Sequence, residues 1–330
     1  MAGSTADNTI SRKQSRGLSF RVTMLCCLAV PAIILTLLIM SPLCAALLPI
    51  LALPTVWLMW QWHASDRDKA GDLETMIWIY VISGTAGTLV VLLMQAIFSY
   101  LFAILLFQSQ LPMYLKEWEE QQNTHLDNLQ FNDASNERLG ENLSYQWQYF
   151  LFLALTCYVT VAMTEEGLKY YSLVYVRRYH AAVHERAYIA YAIVSALGFS
   201  TFENIGFTYQ ACRVESASRL AITVCERVAI GAPLHLGSGI LLAVNVIRRD
   251  LRHEPLDLWQ VMQVPILLHG TFDFGLLALS AANGNVGWVH PTSGISVVLG
   301  YTFTIAMLVT VYLLVRDQLR KHHVPFGVSW

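Results

Sequence analysis

The chain has 330 residues, 55% of them hydrophobic and only 13% charged, with a net charge of −2 and a mean hydropathy of +0.46. Soluble domains carry roughly 25% charged residues, so a soluble chain of this composition would lack the polar surface to cover itself. No basic excess is available to meet nucleic acid.

A helix that crosses a bilayer needs about 20 mostly apolar residues. The first 20 residues, rich in Ser, Asn, Arg and Lys, read as a disordered cytosolic tail over 1–20. Eight apolar segments then succeed one another, at about 22–41, 43–62, 75–107, 146–175, 187–208, 228–247, 258–280 and 294–315. The first two, separated near Pro42, predict a tight hairpin with kinks at Pro31, Pro49 and Pro54. The first run passes straight into the second without a cleavage site, so it is not expected to be a signal peptide. The third and fourth are long enough to tilt or protrude. A long extracytoplasmic loop is expected over 108–145, and a cytosolic tail over 317–330. The expected fold is an all-α polytopic transmembrane helix bundle of about eight spans, with a membrane-embedded domain over 21–316.

Lys and Arg accumulate on the cytosolic side of membrane proteins. With the N-terminus cytosolic, fifteen of the 21 basic residues fall on that side. Lys116, Arg138, Arg213, Arg219 and Arg227 fall on the other, and Lys169 lies inside a span. Both termini are then cytosolic. The outer loop contains Asn142-Leu143-Ser144, a glycosylation acceptor pattern, and Cys212 and Cys225 share a second outer loop where a disulfide can form. Together these point to a eukaryotic secretory-pathway membrane.

Ionisable groups at membrane depth are costly and mark function. The fourth span carries Thr164-Glu165-Glu166-Gly167-Leu168-Lys169, the fifth Phe199 to Asn204 with Glu203, the sixth His235, and the seventh His269 and Asp273. The first three spans and the last hold no comparable cluster. With about 1.5 Å of rise per residue and a core of about 30 Å, these groups converge on one layer at or beyond the midplane. Glu165 and Lys169, four apart, share a helix face and suggest an ion pair, with Glu166 turned about 100° away toward a cavity, although the two roles can be exchanged. His269 and Asp273, also four apart, present an imidazole with an orienting carboxylate. Small residues around His235 permit close helix approach.

A buried carboxylate can activate water, and imidazoles can stabilise an oxyanion, donate a proton or bind a metal. No serine or cysteine stands beside a histidine in a nucleophile motif. Hydrolysis by carboxylate-activated water, with or without zinc, is the reaction class this set suits.

At these residues the chain resembles the PrsW family of intramembrane proteases, related to the CAAX prenyl endopeptidases. The pattern EExxK appears as Glu165 to Lys169, FxxxE as Phe199 to Glu203, and HxxxD as His269 to Asp273, with His235 between the last two. The stretch Pro54 to Asp66 and Gly84 are also similar, and the resemblance covers about 45–315. It implies peptide-bond hydrolysis of transmembrane protein substrates among membrane lipid, near the outer face. Under it, Glu165 or Glu166 activates water, and His235 and His269 polarise the carbonyl or hold a metal. Glu203 supports or ligates. Members of the family are described both as glutamate-dependent proteases and as metalloproteases; if a metal is held, Glu203, His235 and His269 form the ligand set and zinc is the ion. Asp273 orients His269, and Lys169 tunes a glutamate. Two other classes fit the same polar set: a transporter using intramembrane Glu, His and Asp, and a catalytically inactive membrane scaffold.

Overall fold

The computed structural model describes residues 19–65, 71–127, 141–179, 184–213, 217–287 and 293–324. Arg67, Lys69, Arg138, His180 and the side chain of Asn142, the acceptor in the glycosylation pattern, lie outside the described residues. The described chain is helical, in the order α1 (Phe20–Met40), α2 (Pro42–Ser65), α3 (Leu73–Ile82), α4 (Thr88–Phe107), α5 (Leu111–Asp127), α6 (Glu141–Ser144), α7 (Trp147–Ala154), α8 (Met163–Tyr179), α9 (Glu185–Arg213), α10 (Ala217–Glu226), α11 (Ala232–Asp250), α12 (Leu258–Ala281) and α13 (Gly294–Lys321).

Among the described residues, seven helical segments are long and apolar enough to cross a membrane. The eighth expected span, α9, is 29 residues long but more polar, because it carries Ser195, Ser200, Thr201, Glu203 and Asn204. It tolerates them because it is the most enclosed element, buried almost continuously from Arg186 to Thr201 and packed against α2, α3, α8 and α11. Inside this core, hydroxyls bind helix to helix. Ser83, Ser172 and Ser195 hydrogen-bond one another at 2.9–3.2 Å, and Thr201 bonds Tyr80 at 3.0 Å and Thr55 at 3.3 Å. Groups of this kind hold helices together where lipid offers no hydrophobic drive for association. The approach of α3 to α9 is backbone against backbone: a Cβ on Gly198 would lie 2.5 Å from the Tyr80 carbonyl oxygen.

The hairpin at the start turns on a single non-helical residue, Ser41, whose side chain caps Cys44 N–H. Pro31, Pro49 and Pro54 sit within α1 and α2 without ending them. The segment expected as a loop from 108 is largely helical, since α5 continues past a 3₁₀ turn at 108–110. Its Trp118 packs against Gly287, and Tyr114 stacks on Phe107, so aromatic contacts hold it to the bundle end. The expected C-terminal tail begins inside α13, and Val324 beyond it is buried in the main core.

Cys212 and Cys225 are free thiols. Cys212 packs on the apolar cluster of Leu51, Leu220 and Val224, whereas Cys225 is exposed, so they do not meet as expected. At one end of the bundle, Arg252 grips Glu185 at 2.7 and 2.8 Å, and Asp250 pairs with Arg177 and Arg249, each at 2.8 Å. There Arg248 holds the Glu254 carboxyl below the usual glutamate range through a side-chain hydrogen bond.

A candidate active site between α4, α8, α9, α11 and α12

Three helices that deliver polar groups are each entered through a π-helical segment: Ser83–Gly87 before α4, Leu155–Ala162 before α8, and Arg227–Gly231 before α11. A π-turn inserts a residue, rotates the helix beyond it and recurs at functional sites. Here it sets the faces that carry Gln95, then Glu165, Glu166 and Lys169, then His235 and Ser238. A Cβ on Gly270 would strike the ring of Tyr158, so a glycine next to His269 allows α12 to close on the π segment.

Lys169 is wholly buried. Its ammonium donates to Glu166 Oε1 at 2.6 Å and to Ser238 Oγ at 2.8 Å, and lies 3.3 Å from His235 Nδ1. The lysine therefore pairs with the glutamate three residues earlier, not with Glu165 four residues earlier as their shared helix face predicts. Glu166 Oε1 collects two further donors, Ser238 Oγ at 3.0 Å and His269 Nδ1 at 2.9 Å. Glu165 points elsewhere. Its Oε1 accepts from Gln95 at 2.9 Å, and its Oε2 lies 3.5 Å from His269 Nε2, buried and without a hydrogen-bond partner. Asp273 Oδ2 stands 3.4 Å from the same ring nitrogen. The His235 and His269 rings meet edge to face at 5.2 Å.

Glu203 has a cation at membrane depth. Its Oε2 accepts from Arg227 Nη2 and pairs with His235 Nε2 at 3.0 Å. The Arg227 Nε donates to Asn204 at 2.7 Å, and its guanidinium lies over the Phe207 ring at 4.2 Å. Arg227, counted from sequence among the outer-loop charges, thus belongs to a helix and to the site.

The seven residues expected at the site, Glu165, Glu166, Lys169, Glu203, His235, His269 and Asp273, form one connected network. Gln95, Ser238 and Arg227 complete it and were not expected. Gln95 has a visible signal, a lone amide within the strongly apolar run Val90 to Phe98. A cavity of about 50 Å³ opens on the network, lined by Glu203, Arg227, His235, Ser238, His269 and Asp273 with Leu234, Phe272 and Val311 among its apolar walls. A water needs about 10–15 Å³ of such space, so the cavity has room for water beside the network.

Among the described residues, Glu165, His235 and His269 each offer one ligand atom within 4.8 Å of the others. Two imidazoles and a carboxylate are a donor set that suits zinc. The unpartnered Glu165 Oε2 fits such an ion, and so does His269, whose Nδ1 bond to Glu166 leaves Nε2 free to ligate. Glu203, expected as a ligand, is instead engaged by Arg227 and falls outside this set.

Fold and site define a polytopic helical membrane protein with a buried carboxylate–imidazole cluster. The family described as PrsW family intramembrane metalloproteases matches residues 128–314, more than half of the chain, and the chain belongs to it. Protease PrsW of Clostridioides difficile (strain 630) is 29% identical over 155 residues, which are 42% of this chain and 60% of the relative. The chain thus spans less than two thirds of that protein's length. No solved structure matches the chain.

Proposed function

We propose that the chain is an intramembrane endopeptidase that hydrolyses peptide bonds of membrane-protein substrates at the Glu165–His269 centre. The observation that carries this reading is Glu165 Oε2: buried, without a hydrogen-bond partner, and 3.5 Å from His269 Nε2. A carboxylate oxygen left bare at membrane depth costs several kcal/mol on the order-of-magnitude scale for unsatisfied buried groups. Water or a metal relieves that cost, and either prepares hydrolysis.

Glu165, His235 and His269 are the groups that hold an ion. When bound, it supplies a Lewis acid and eases ionisation of the attacking water. Asp273, at the cavity wall and 3.4 Å from His269, is placed to take the water's proton. Glu166 takes three donors on Oε1, from Lys169, Ser238 and His269, while its Oε2 is buried without a hydrogen-bond partner like that of Glu165; its assigned role is to orient His269 through Nδ1 and to neutralise Lys169. His235 faces the cavity beside Ser238, where as a ligand it would help to hold the ion at the cavity wall. Because Glu165, Glu166 and His235 are buried, substrate entry requires helices to part, which keeps bulk solvent from the centre beforehand.

A second, metal-free reading is favoured by one contact. The Lys169 ammonium 3.3 Å from His235 Nδ1 makes that nitrogen an acceptor, so Nε2 carries the proton and donates it to Glu203 at 3.0 Å. That tautomer has no lone pair for a metal, and Glu165 Oε2 then takes the water's proton itself. The test uses full-length protein in liposomes with a single-span membrane peptide. Cleavage by wild type, abolished by a zinc chelator and restored by zinc, supports the first reading. Cleavage indifferent to chelation supports the second. Cleavage unaffected by Glu165→Gln contradicts both.

A further inference from the structure

We infer that Arg227 is a positioning residue for catalysis, acting through Glu203 on His235; the inference rests on the proposed hydrolysis. An isolated counter-charge for Glu203 needs only proximity, yet Arg227 is held on four sides. Nη2 donates to Glu203 Oε2, Nε donates to Asn204 Oδ1 at 2.7 Å, and the Phe207 ring lies 4.2 Å beneath the guanidinium. On the remaining side stands Gly231, one turn along, where an added Cβ would come within 3.3 Å of the guanidinium carbon.

The clamp is assembled from sequence neighbours. Glu203, Asn204 and Phe207 occupy one stretch of α9, and Arg227 and Gly231 bound the π segment that leads to His235. A π-helical turn therefore connects the residue that fixes Glu203 to the residue that Glu203 contacts. Glu203 Oε2 meets both Arg227 Nη2 and His235 Nε2, so the guanidinium sets where that oxygen sits and the oxygen sets the tilt of the imidazole. His235 is held from its other edge by Lys169, and both histidines face the cavity. The chain of contacts from Arg227 to the centre is thus two hydrogen bonds long. Lysine can replace the charge but not the planar fork that engages Glu203 and Asn204 together.

The experiment compares wild type, Arg227→Lys, Arg227→Gln, Glu203→Gln and the Arg227→Gln/Glu203→Gln double variant in the liposome cleavage assay. Thermal unfolding of each purified protein is measured in parallel, and Glu165→Gln serves as the inactive reference. We expect Arg227→Gln to lower kcat by roughly 10–100-fold, the range for loss of an outer-shell partner, with KM changed less than about threefold. Arg227→Lys should recover part of kcat, and the double variant should be no slower than the slower single variant, because both changes cut one contact chain. Wild-type kcat in a folded Arg227→Gln protein would overturn the inference. So would multiplicative losses in the double variant, or a loss of activity that tracks the unfolding midpoint in every variant. A wild type that cleaves nothing would instead remove the proposed hydrolysis on which the inference stands.

Discussion

Replacing Lys169 by methionine removes the cation from the most enclosed ion pair of the bundle. Its ammonium lies 2.6 Å from Glu166 Oε1, both side chains being fully buried. At an effective dielectric of about 20 that separation corresponds to about 6 kcal/mol of attraction. Desolvation of both ions has already consumed most of that gain, and the two other donors to Glu166, Ser238 and His269, remain in the variant. The measurable loss is therefore that of breaking a buried pair, about 3–5 kcal/mol, because it strands a carboxylate. The assay is equilibrium unfolding of purified protein in mixed micelles with increasing denaturing detergent. Lys169→Met should unfold at markedly lower detergent fraction, and adding Glu166→Gln should recover most of the loss. A single variant as stable as wild type, or a double variant no better than the single, would refute the assignment of Glu166 as the partner.

Gln95→Leu keeps the volume but removes the amide that donates to Glu165 Oε1; kcat in the liposome assay should fall roughly 10–100-fold, with helical content unchanged. Gly198→Ala drives a Cβ against the Tyr80 carbonyl oxygen at 2.5 Å and should cost about 1–3 kcal/mol in the same unfolding assay. Cys212 and Cys225 should both take up a thiol-alkylating reagent in unreduced, unfolded protein, as shown by intact mass, whereas protection of the two would restore the disulfide read from their shared loop.

The sites that sequence alone reveals are those where charge is out of place. Glu165, Glu166, Lys169, Glu203, His235, His269 and Asp273 all interrupt apolar runs, and helical rise alone brought them to one depth. Their pairings were not legible in the same way. Lys169 chose the glutamate at i−3 because Ser238 and His235 on α11 draw the ammonium to that side of α8, and Gln95 on α4 draws Glu165 away. Those attractions come from helices whose packing no local spacing encodes. Arg227 was hidden for a related reason, since a basic residue near a span end is ordinarily topological. Only the continuation of α10 through a π-turn into α11 carries it to Glu203. Helix α9 shows the converse: its polar residues weaken its hydropathy, and burial by α2, α3, α8 and α11 is what makes it a span.

The most direct test of the proposed centre is cleavage of a single-span membrane peptide by reconstituted protein carrying Glu165→Gln or Glu166→Gln, each compared with wild type. If the bare oxygen of Glu165 performs or supports the chemistry, Glu165→Gln is folded, stable and inactive, while Glu166→Gln loses stability along with activity because Lys169 is left without its anion. A folded Glu165→Gln protein that cleaves at the wild-type rate would contradict the account.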